Sequence, residues 1–239
     1  MLINAKTQMK RTTRIFRFFM ILAGIIFSMP ADSQNDVPSK FTAGADFYSS
    51  YVWRGTGYGT GPAVQPMMKF AAGVFSAGAW GSFDFHGYQE TDLWLSFSLP
   101  AGFSIGMTDY YYPAYDYFDY TDTTGSHAYE VNFGFSKWGL ALSGNYILNK
   151  AGNAGSMGGD KYFEAKYSFK SLYLFIGAGD GWHSLDIETG KDRFTICNLG
   201  LGVAREIKIT DKFSIPVNGQ LILNPDTEKI FIVAGFTLQ

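Results

Sequence analysis

Apolar and polar side chains alternate along most of this chain, and that alternation restricts the folds open to it. Between residues 41 and 238, twelve stretches carry an apolar side chain at every second position. A period of two is typical of a β-strand with one apolar and one polar face. The stretches are residues 41–53, 63–72, 74–85, 91–99, 102–112, 127–136, 139–148, 161–169, 172–179, 194–204, 213–223 and 230–238.

The connections between these stretches alternate in length along the chain. The short ones are Gly73 and residues 100–101, 137–138, 170–171 and the somewhat longer 205–212. The long ones are residues 54–61, 86–90, 113–126, 149–160, 180–193 and 224–229. Short periplasmic turns and longer external loops are typical of an outer-membrane barrel. We therefore predict an all-β fold: one transmembrane, antiparallel, up-and-down β-barrel of about twelve strands.

The N-terminal segment has the pattern of an export signal. Basic residues precede an apolar segment at residues 18–27, and the small residues Ala31 and Ser33 follow it. The basic residues are Lys6, Lys10, Arg11, Arg14 and Arg17. We predict that residues 1–33 are a cleaved signal peptide and that residues 34–239 form the barrel; a short N-terminal membrane anchor is the alternative. After residue 33 no apolar run approaches the roughly 20 residues of a membrane helix, so only a closed barrel would span a bilayer.

Charge and cysteine content exclude some classes of partner and stabilisation. Without residues 1–33 the chain keeps 14 of its 19 Lys and Arg and 20 of its 21 Asp and Glu, a net charge of −6. An acidic chain is a poor partner for nucleic acid. The single cysteine, Cys197, cannot form an internal disulfide, and its place among Leu199, Leu201 and Val203 predicts a small hydrophobe on an apolar strand face.

The polar face of the strands carries ionisable residues, and we predict that it lines the lumen. The predicted lumen-lining residues are Asp46, Lys69, Asp84, Asp92, Glu130, Glu164 and Lys166. Unpaired charges are unfavourable in a dry core, and water inside a barrel relieves that penalty. Five carboxylates against two lysines favour cations. In the alternative interpretation these groups pair with one another and with Arg54, and close a narrow barrel.

The apolar face is predicted to meet lipid. Aromatic residues near its strand ends, such as Tyr51, Trp53, Tyr129, Trp138 and Tyr146, fit the interface girdles of membrane barrels. Ordinary packing explains any single one of them equally well. Residues 172–178 are apolar on both faces, so their orientation stays open.

One predicted external loop combines aromatic and acidic residues. The residues that would make its contacts are Tyr115, Asp116, Tyr117, Asp119 and Asp122. Aromatic faces stack on sugar rings, and carboxylates bind hydroxyl groups or cations. The simpler interpretation is a solvated acidic loop that faces a lipopolysaccharide surface. Residues 149–160 lack the spacing of a calcium-binding loop, so no metal or other cofactor is predicted.

The sequence contains three histidines that are candidate catalytic bases: His86, His127 and His183. A base-activated serine needs a histidine within hydrogen-bond reach and an orienting third group. The best local set is Ser126, His127 and Glu130, but alternation places His127 and Glu130 on opposite faces. No nucleophile elbow or metal-ligand spacing occurs. We predict no catalytic residue and no enzyme; an outer-membrane lipid hydrolase ranks third among the functions considered.

A family resemblance accompanies these patterns. The segments that carry it are Ser49-Ser-Tyr-Val-Trp-Arg-Gly55, Tyr58-Gly59, Pro62, Gln65-Pro66 and Gly78-Ala-Trp-Gly-Ser82. They resemble the opening of the TorF-like porin family, over about the first quarter of the mature chain. The resemblance implies an outer-membrane barrel with a poorly defined substrate, and it carries over no catalytic residue.

The sequence thus predicts a porin-like channel in the cell outer membrane of a diderm bacterium. Small polar solutes would diffuse through it, with a weak preference for cations. The alternative function is a closed barrel that binds surface partners through the aromatic and acidic loop. Expected partners are outer-membrane lipid, lipopolysaccharide and the barrel-insertion machinery, although the final segment Phe236-Thr-Leu-Gln239 lacks the terminal aromatic residue that this machinery often recognises.

Overall fold

The computed structural model describes residues 39–186 and 191–239, so the predicted signal peptide lies outside the described residues. Twelve long strands form its main sheet. They are β1 (Ser39–Tyr48), β2 (Ala63–Ala72), β3 (Phe75–Asp84), β4 (Gln89–Ser98), β5 (Phe103–Tyr111), β6 (His127–Lys137), β7 (Leu140–Ile147), β8 (Lys161–Phe169), β9 (Leu172–Gly179), β10 (Thr195–Thr210), β11 (Phe213–Asn224) and β12 (Lys229–Leu238).

The sheet closes on itself. Each strand pairs antiparallel with its neighbours in the sequence, and β12 returns to pair with β1 from Ala45↔Leu238 to Tyr48↔Gly235. The prediction of an all-β, twelve-stranded, up-and-down barrel is confirmed. Closure satisfies the backbone of every strand without leaving a sheet edge.

The two ends of the barrel differ in their connections. At the short-turn end, strands are joined tightly, as in the two-residue turn Trp138-Gly139 between β6 and β7, whose φ angles are 55° and 82°. Such turns match the twist of the strands they join. At the long-loop end lie three two-stranded hairpins, Tyr51–Trp53 with Thr56–Tyr58, Lys150–Ala151 with Ser156–Met157, and Leu185–Asp186 with Lys191–Asp192.

Helical structure is confined to two short 3₁₀ turns among the described residues, Pro100–Gly102 and Gly181–His183. Within residues 39–186 and 191–239, no helix is long and apolar enough to cross a membrane.

The first predicted strand is too long. Residues 41–53 were predicted as one strand, but β1 ends at Tyr48, the chain bends at Ser49 and Ser50, and Tyr51–Trp53 belongs to a separate hairpin. Tyr51 is buried and packs against Trp80, which lies on the inner face of β3. The prediction that Tyr51 and Trp53 belong to an interface girdle is therefore wrong.

The predicted connection 205–212 is also wrong. Strand β10 continues to Thr210, and only Asp211 and Lys212 separate it from β11. Ile207 and Ile209 keep the alternation going between charged residues, and Ile207 pairs with Ile215 of β11. Charged residues within an alternating segment therefore do not by themselves indicate a loop.

The two faces of the barrel differ sharply in polarity. Outward side chains are mostly large and apolar: Phe133 is 53% exposed and Ile232 is 80% exposed. The structure also fixes the orientation of β9. Leu174 and Ile176 are exposed, while Phe175 is buried against the inner face with Ile222 and Val233.

A β-bulge changes the position of the single cysteine. Gly177 of β9 pairs with Asn198 and Ala178 pairs with Ile196, so Cys197 has no partner across the ladder. Cys197 is fully buried, unlike Leu199 and its outward neighbours. It remains a buried hydrophobe, but the prediction that it shares the apolar outer face is wrong because an extra residue reverses the alternation.

Candidate functional site in the barrel lumen

A hairpin between β1 and β2, formed by Tyr51–Trp53 and Thr56–Tyr58, folds into the barrel. We call it the inward hairpin. Its tip is Arg54-Gly55, with φ angles of 49° and 82°. This two-residue turn with positive φ fits a tight β-hairpin. Only glycine fits at the second position, because a Cβ atom on Gly55 would lie 1.9 Å from the carbonyl oxygen of Cys197 in β10.

The tip of the inward hairpin reaches the far side of the lumen. Its root lies between β1 and β2, whereas Arg54 contacts Glu130 of β6 and Tyr162 of β8, five strands away from β1 in either direction around the barrel. The Asn224 side chain of β11 donates a hydrogen bond to the carbonyl oxygen of Gly55, over 3.1 Å. The inward hairpin therefore bridges the lumen from wall to wall.

The Arg54 guanidinium is held by a carboxylate and two aromatic rings. Its Nη1 donates to Glu130 Oε2 over 2.6 Å and its Nη2 donates to Glu130 Oε1 over 2.9 Å, so the pairing is bidentate. The guanidinium carbon lies 4.3 Å from the Trp53 ring centroid and 4.5 Å from that of Tyr162. Bidentate pairing and cation–π contact are both characteristic of arginine rather than lysine.

Wall residues orient the Glu130 carboxylate. Tyr110 of β5 donates its hydroxyl to Glu130 Oε1 over 2.9 Å, and Asn132 donates to the same oxygen over 2.6 Å. Asn132 in turn accepts a hydrogen bond from Thr108, over 2.9 Å. Glu130 is fully buried, and its charge is compensated by Arg54 and by these neutral donors.

Tyr162 and His183 complete the surroundings of the guanidinium. The Tyr162 hydroxyl donates to Glu164 over 2.6 Å and accepts from Asn198 over 2.9 Å. His183 Nε2 lies 3.3 Å from Nη1 of Arg54. Burial, together with the nearby Arg54 charge, lowers the pKa of His183 to about 2. The imidazole is therefore neutral and accepts a hydrogen bond from the guanidinium.

Aromatic side chains fill the space around the inward hairpin. Tyr51 packs against Trp80, with ring centroids 5.5 Å apart. Trp53 packs edge-on against Tyr110 at 5.4 Å and against Trp182 at 5.3 Å. Edge-to-face pairs at these separations are favourable beyond their buried area. The long-loop half of the lumen is thus occupied by the inward hairpin and its aromatic neighbours.

Two further carboxylates lie buried beside the inward hairpin. Tyr88 donates its hydroxyl to Glu90 over 2.5 Å. Asp92 is buried, and its Oδ1 has no hydrogen-bond partner within the described part of the chain. Within residues 39–186 and 191–239, no group of three His, Cys, Asp or Glu side chains is arranged to hold a metal ion.

All seven predicted lumen-lining residues lie on the inner face, but they do not form one cluster. Glu130 and Glu164 flank the Arg54 contact, and Asp92 lies buried near Glu130. The remaining predicted residues make separate contacts.

Asp46 accepts a hydrogen bond from Thr237, over 2.5 Å. The ammonium groups of Lys69 and Lys166 lie 5.9 and 5.1 Å from the rings of Trp94 and Tyr173. Asp84 is committed to loop structure, because it accepts backbone hydrogen bonds from Thr60, His86 and Tyr88, each over 2.8 Å.

The predicted external-loop residues serve the loop itself. Asp119 accepts hydrogen bonds from Thr124 and Thr121, which hold the pKa of its carboxyl below the ordinary value. The carbonyl oxygens of Asp116 and Tyr117 accept hydrogen bonds from Ser126 and from His127, respectively. The side chains of Tyr115, Asp116, Tyr117 and Asp122 are exposed at the surface.

His127 lies on the outer face and is enclosed by the loop. Its Nδ1 is 2.9 Å from Asp109 Oδ1, its Nε2 is 2.6 Å from the carbonyl oxygen of Tyr117, and its ring stacks on Tyr111 and Tyr120. Both ring nitrogens thus face acceptors. Glu130 lies on the opposite face, so Ser126, His127 and Glu130 do not assemble into one site.

The sequence predicted that Arg54 could pair with lumen carboxylates, but not how. The residues that the prediction of the lumen omitted are Tyr110, Tyr162, Trp182 and His183. A usable signal was present: Arg54-Gly55 separates two short alternating segments, as a two-residue hairpin turn does. The positions of Trp182 and His183 depend on contacts between distant segments, which no local pattern encodes.

Comparison with known proteins adds no family assignment. No family model matches the chain, and no curated protein matches it. The resemblance to the TorF-like porins stays a prediction.

Proposed function

We propose that the chain is an outer-membrane barrel of the porin type, through which small polar solutes diffuse at a rate limited by the inward hairpin. The observation that carries this proposal is the opposite polarity of the two faces of a closed twelve-stranded barrel. An apolar outer face and a polar inner face suit a bilayer outside and water inside.

The outer face supports the membrane part of the proposal. Exposed side chains there include Phe41, Phe103, Phe163, Leu174 and Leu201, which are spread over five strands. A soluble monomer rarely exposes a continuous apolar surface of this extent, because contact with water is unfavourable and promotes aggregation. Contact with lipid tails removes that cost.

The inner face supports passage of polar solutes. Toward the short-turn end the wall carries small polar residues, such as Ser76 and Ser96, which pair across β3 and β4. Barrels of about eight strands are filled by side chains and those of 16–18 hold an aqueous channel, so twelve strands leave room for a narrow path. The inward hairpin and its aromatic neighbours form the narrowest part of this path.

Single-channel recording tests the proposal. We expect the refolded chain without residues 1–33 to give small discrete conductance steps in a planar bilayer, with a reversal potential that favours cations. Glu164→Gln, on the inner face, is expected to reduce the cation preference; Asp122→Asn, in the exposed loop, is the matched control and is expected to leave it unchanged. Anion preference, or equal effects of both variants, would contradict a lumen-based selectivity.

One observation favours a second function, a closed barrel that acts through its surface. The inward hairpin bridges the lumen and is fixed at Arg54, while the loop that holds Asp119 is ordered by its own hydrogen bonds. A chain shown to be folded and inserted, yet electrically silent, would support this alternative. Surface binding that is lost on deletion of residues 113–126 would then identify the loop as the binding element.

A further inference from the structure

We propose that the wall around Arg54 is a guanidinium-binding site that the chain's own arginine fills, and that solutes bearing a guanidinium group are the class it accepts when the inward hairpin withdraws. This inference rests on the proposed passage of polar solutes. It assigns a ligand chemistry to the narrowest part of the lumen.

Apart from Trp53, which belongs to the inward hairpin, the groups that contact the guanidinium come from three separate elements. Glu130 lies on β6, Tyr162 lies on β8, and His183 lies in the 3₁₀ turn after β9. None belongs to the inward hairpin. Arg54 is thus a ligand presented by one element to a receptor built by others.

The contacts match the shape of a guanidinium group and not merely its charge. Two parallel hydrogen bonds of 2.6 and 2.9 Å run from Arg54 to both oxygens of Glu130. The ring of Tyr162 lies against the guanidinium at 4.5 Å. Neutral His183 accepts a hydrogen bond from Nη1, the nitrogen that also donates to Glu130 Oε2. An ammonium group cannot form the paired hydrogen bonds.

The receptor side is held in place independently of Arg54. Tyr110 and Asn132 orient the Glu130 carboxylate, while Asn198 orients Tyr162. These residues belong to the paired strands β5, β6, β8 and β10, whose backbone ladders do not involve Arg54. Removal of the Arg54 side chain therefore leaves a preorganised, negatively charged space that lacks its cation.

Tethering explains how the site stays occupied. A group tethered on a short chain segment has an effective local concentration on the order of millimolar at its binding site. In the wild-type chain a free solute has to compete with the tethered Arg54 side chain for the site. In Arg54→Ala this competitor is absent. The variant is therefore the form in which the site is open to added ligand.

The test compares ethylguanidinium with ethylammonium, two cations of equal charge with the same alkyl group, on refolded Arg54→Ala in detergent micelles. We expect calorimetric binding of ethylguanidinium at least about tenfold tighter than that of ethylammonium, because only the former makes the bidentate contact. Wild-type protein, whose site is filled, is expected to bind neither at millimolar concentration. Arg54→Ala/Glu130→Gln, which lacks the carboxylate, should lose the preference.

Equal binding of the two cations, or no binding to Arg54→Ala, would overturn the inference. If Arg54→Ala refolds poorly, ethylguanidinium is expected to restore the refolded yield where ethylammonium does not, and failure of both to do so counts against it. The readout is independent of conductance. If ethylguanidinium binds but the protein does not conduct, the binding site stands and the proposed passage of solutes is wrong. If the protein conducts but ethylguanidinium does not bind, the passage stands and the binding site is wrong.

Discussion

Replacing Arg54 with alanine is expected to lower the free energy of unfolding by about 3–5 kcal/mol, because it leaves the buried Glu130 carboxylate without its counter-charge. The side chains of Arg54 and Glu130 are only 11% and 1% exposed, so water cannot take over the solvation of the remaining charge. Denaturant titration of the refolded chain, followed by tryptophan fluorescence and by the gel mobility of unheated samples, measures the change.

Two control variants distinguish the effect of leaving a buried charge unpaired from the effect of losing an ion pair. Lys208 and Asp211 also form an ion pair of 2.6 Å, but their side chains are 67% and 93% exposed. Lys208→Ala is expected to have no measurable effect, since exposed pairs contribute little. Arg54→Ala/Glu130→Gln, which removes the uncompensated charge, should recover much of the loss. If Arg54→Ala alone were as stable as wild type, the inward hairpin would not be fixed through the Arg54–Glu130 pair.

The second large effect concerns the outer face. Leu95→Arg is expected to destabilise the folded barrel in a bilayer by about 2–4 kcal/mol, the range for arginine on the lipid face of a membrane barrel. Leu95 lies on β4, between Ala77 of β3 and Met107 of β5 on the same outward face. Equilibrium unfolding from lipid vesicles gives the difference.

Ser96→Arg is the matched control, because the adjacent residue points to the opposite face. Ser96 pairs with Ser76, whose side chain is small, and with Gly106, which has none, so the inner face has room for an arginine side chain there. It is expected to be tolerated much better than Leu95→Arg. The reverse order of stabilities would mean that the inner and outer faces have been exchanged, and equal stabilities would contradict a lipid-facing exterior.

The barrel follows from the sequence because its determinants are local. Alternation such as Leu93, Leu95 and Phe97 specifies strands with one apolar face, and tight turns such as Trp138-Gly139 join them without long excursions. These two signals recur in order along the chain, so strand number and topology could be predicted before any contact was known. Closure then follows, since an open sheet would leave unpaired edges.

The errors arise where alternation continues across a break. Tyr51 and Trp53 keep the parity of Phe41 and Phe47, so a period-two pattern cannot distinguish a longer strand from a hairpin that turns inward at Ser49 and Ser50. At Cys197 a single extra residue reverses the faces, and no residue type marks the bulge. The error in strand β10 is the opposite one, a predicted strand that is too short. The charged residues beside Ile207 favoured a loop where the strand in fact continues.

The site was predictable only in part. Glu130 and Arg54 were identified as charges that could pair, since both alternate with apolar neighbours and an unpaired buried charge is unfavourable. The contact between Arg54 and Glu130 depends on the inward hairpin crossing the lumen. The contact between Arg54 and His183 joins two loops that lie more than 120 residues apart in the sequence. Contacts of this range are set by closure of the barrel and not by local pattern.

We propose above all that the inward hairpin narrows the long-loop half of a membrane-spanning barrel. The most direct measurement compares single-channel conductance of two chains in planar bilayers: the chain without residues 1–33, and the same chain in which a short Gly-Ser linker replaces residues 51–58. We predict larger conductance steps for the shortened chain, since the element that bridges the lumen is absent. Equal conductance from the two chains, both shown to be folded and inserted, would contradict the account.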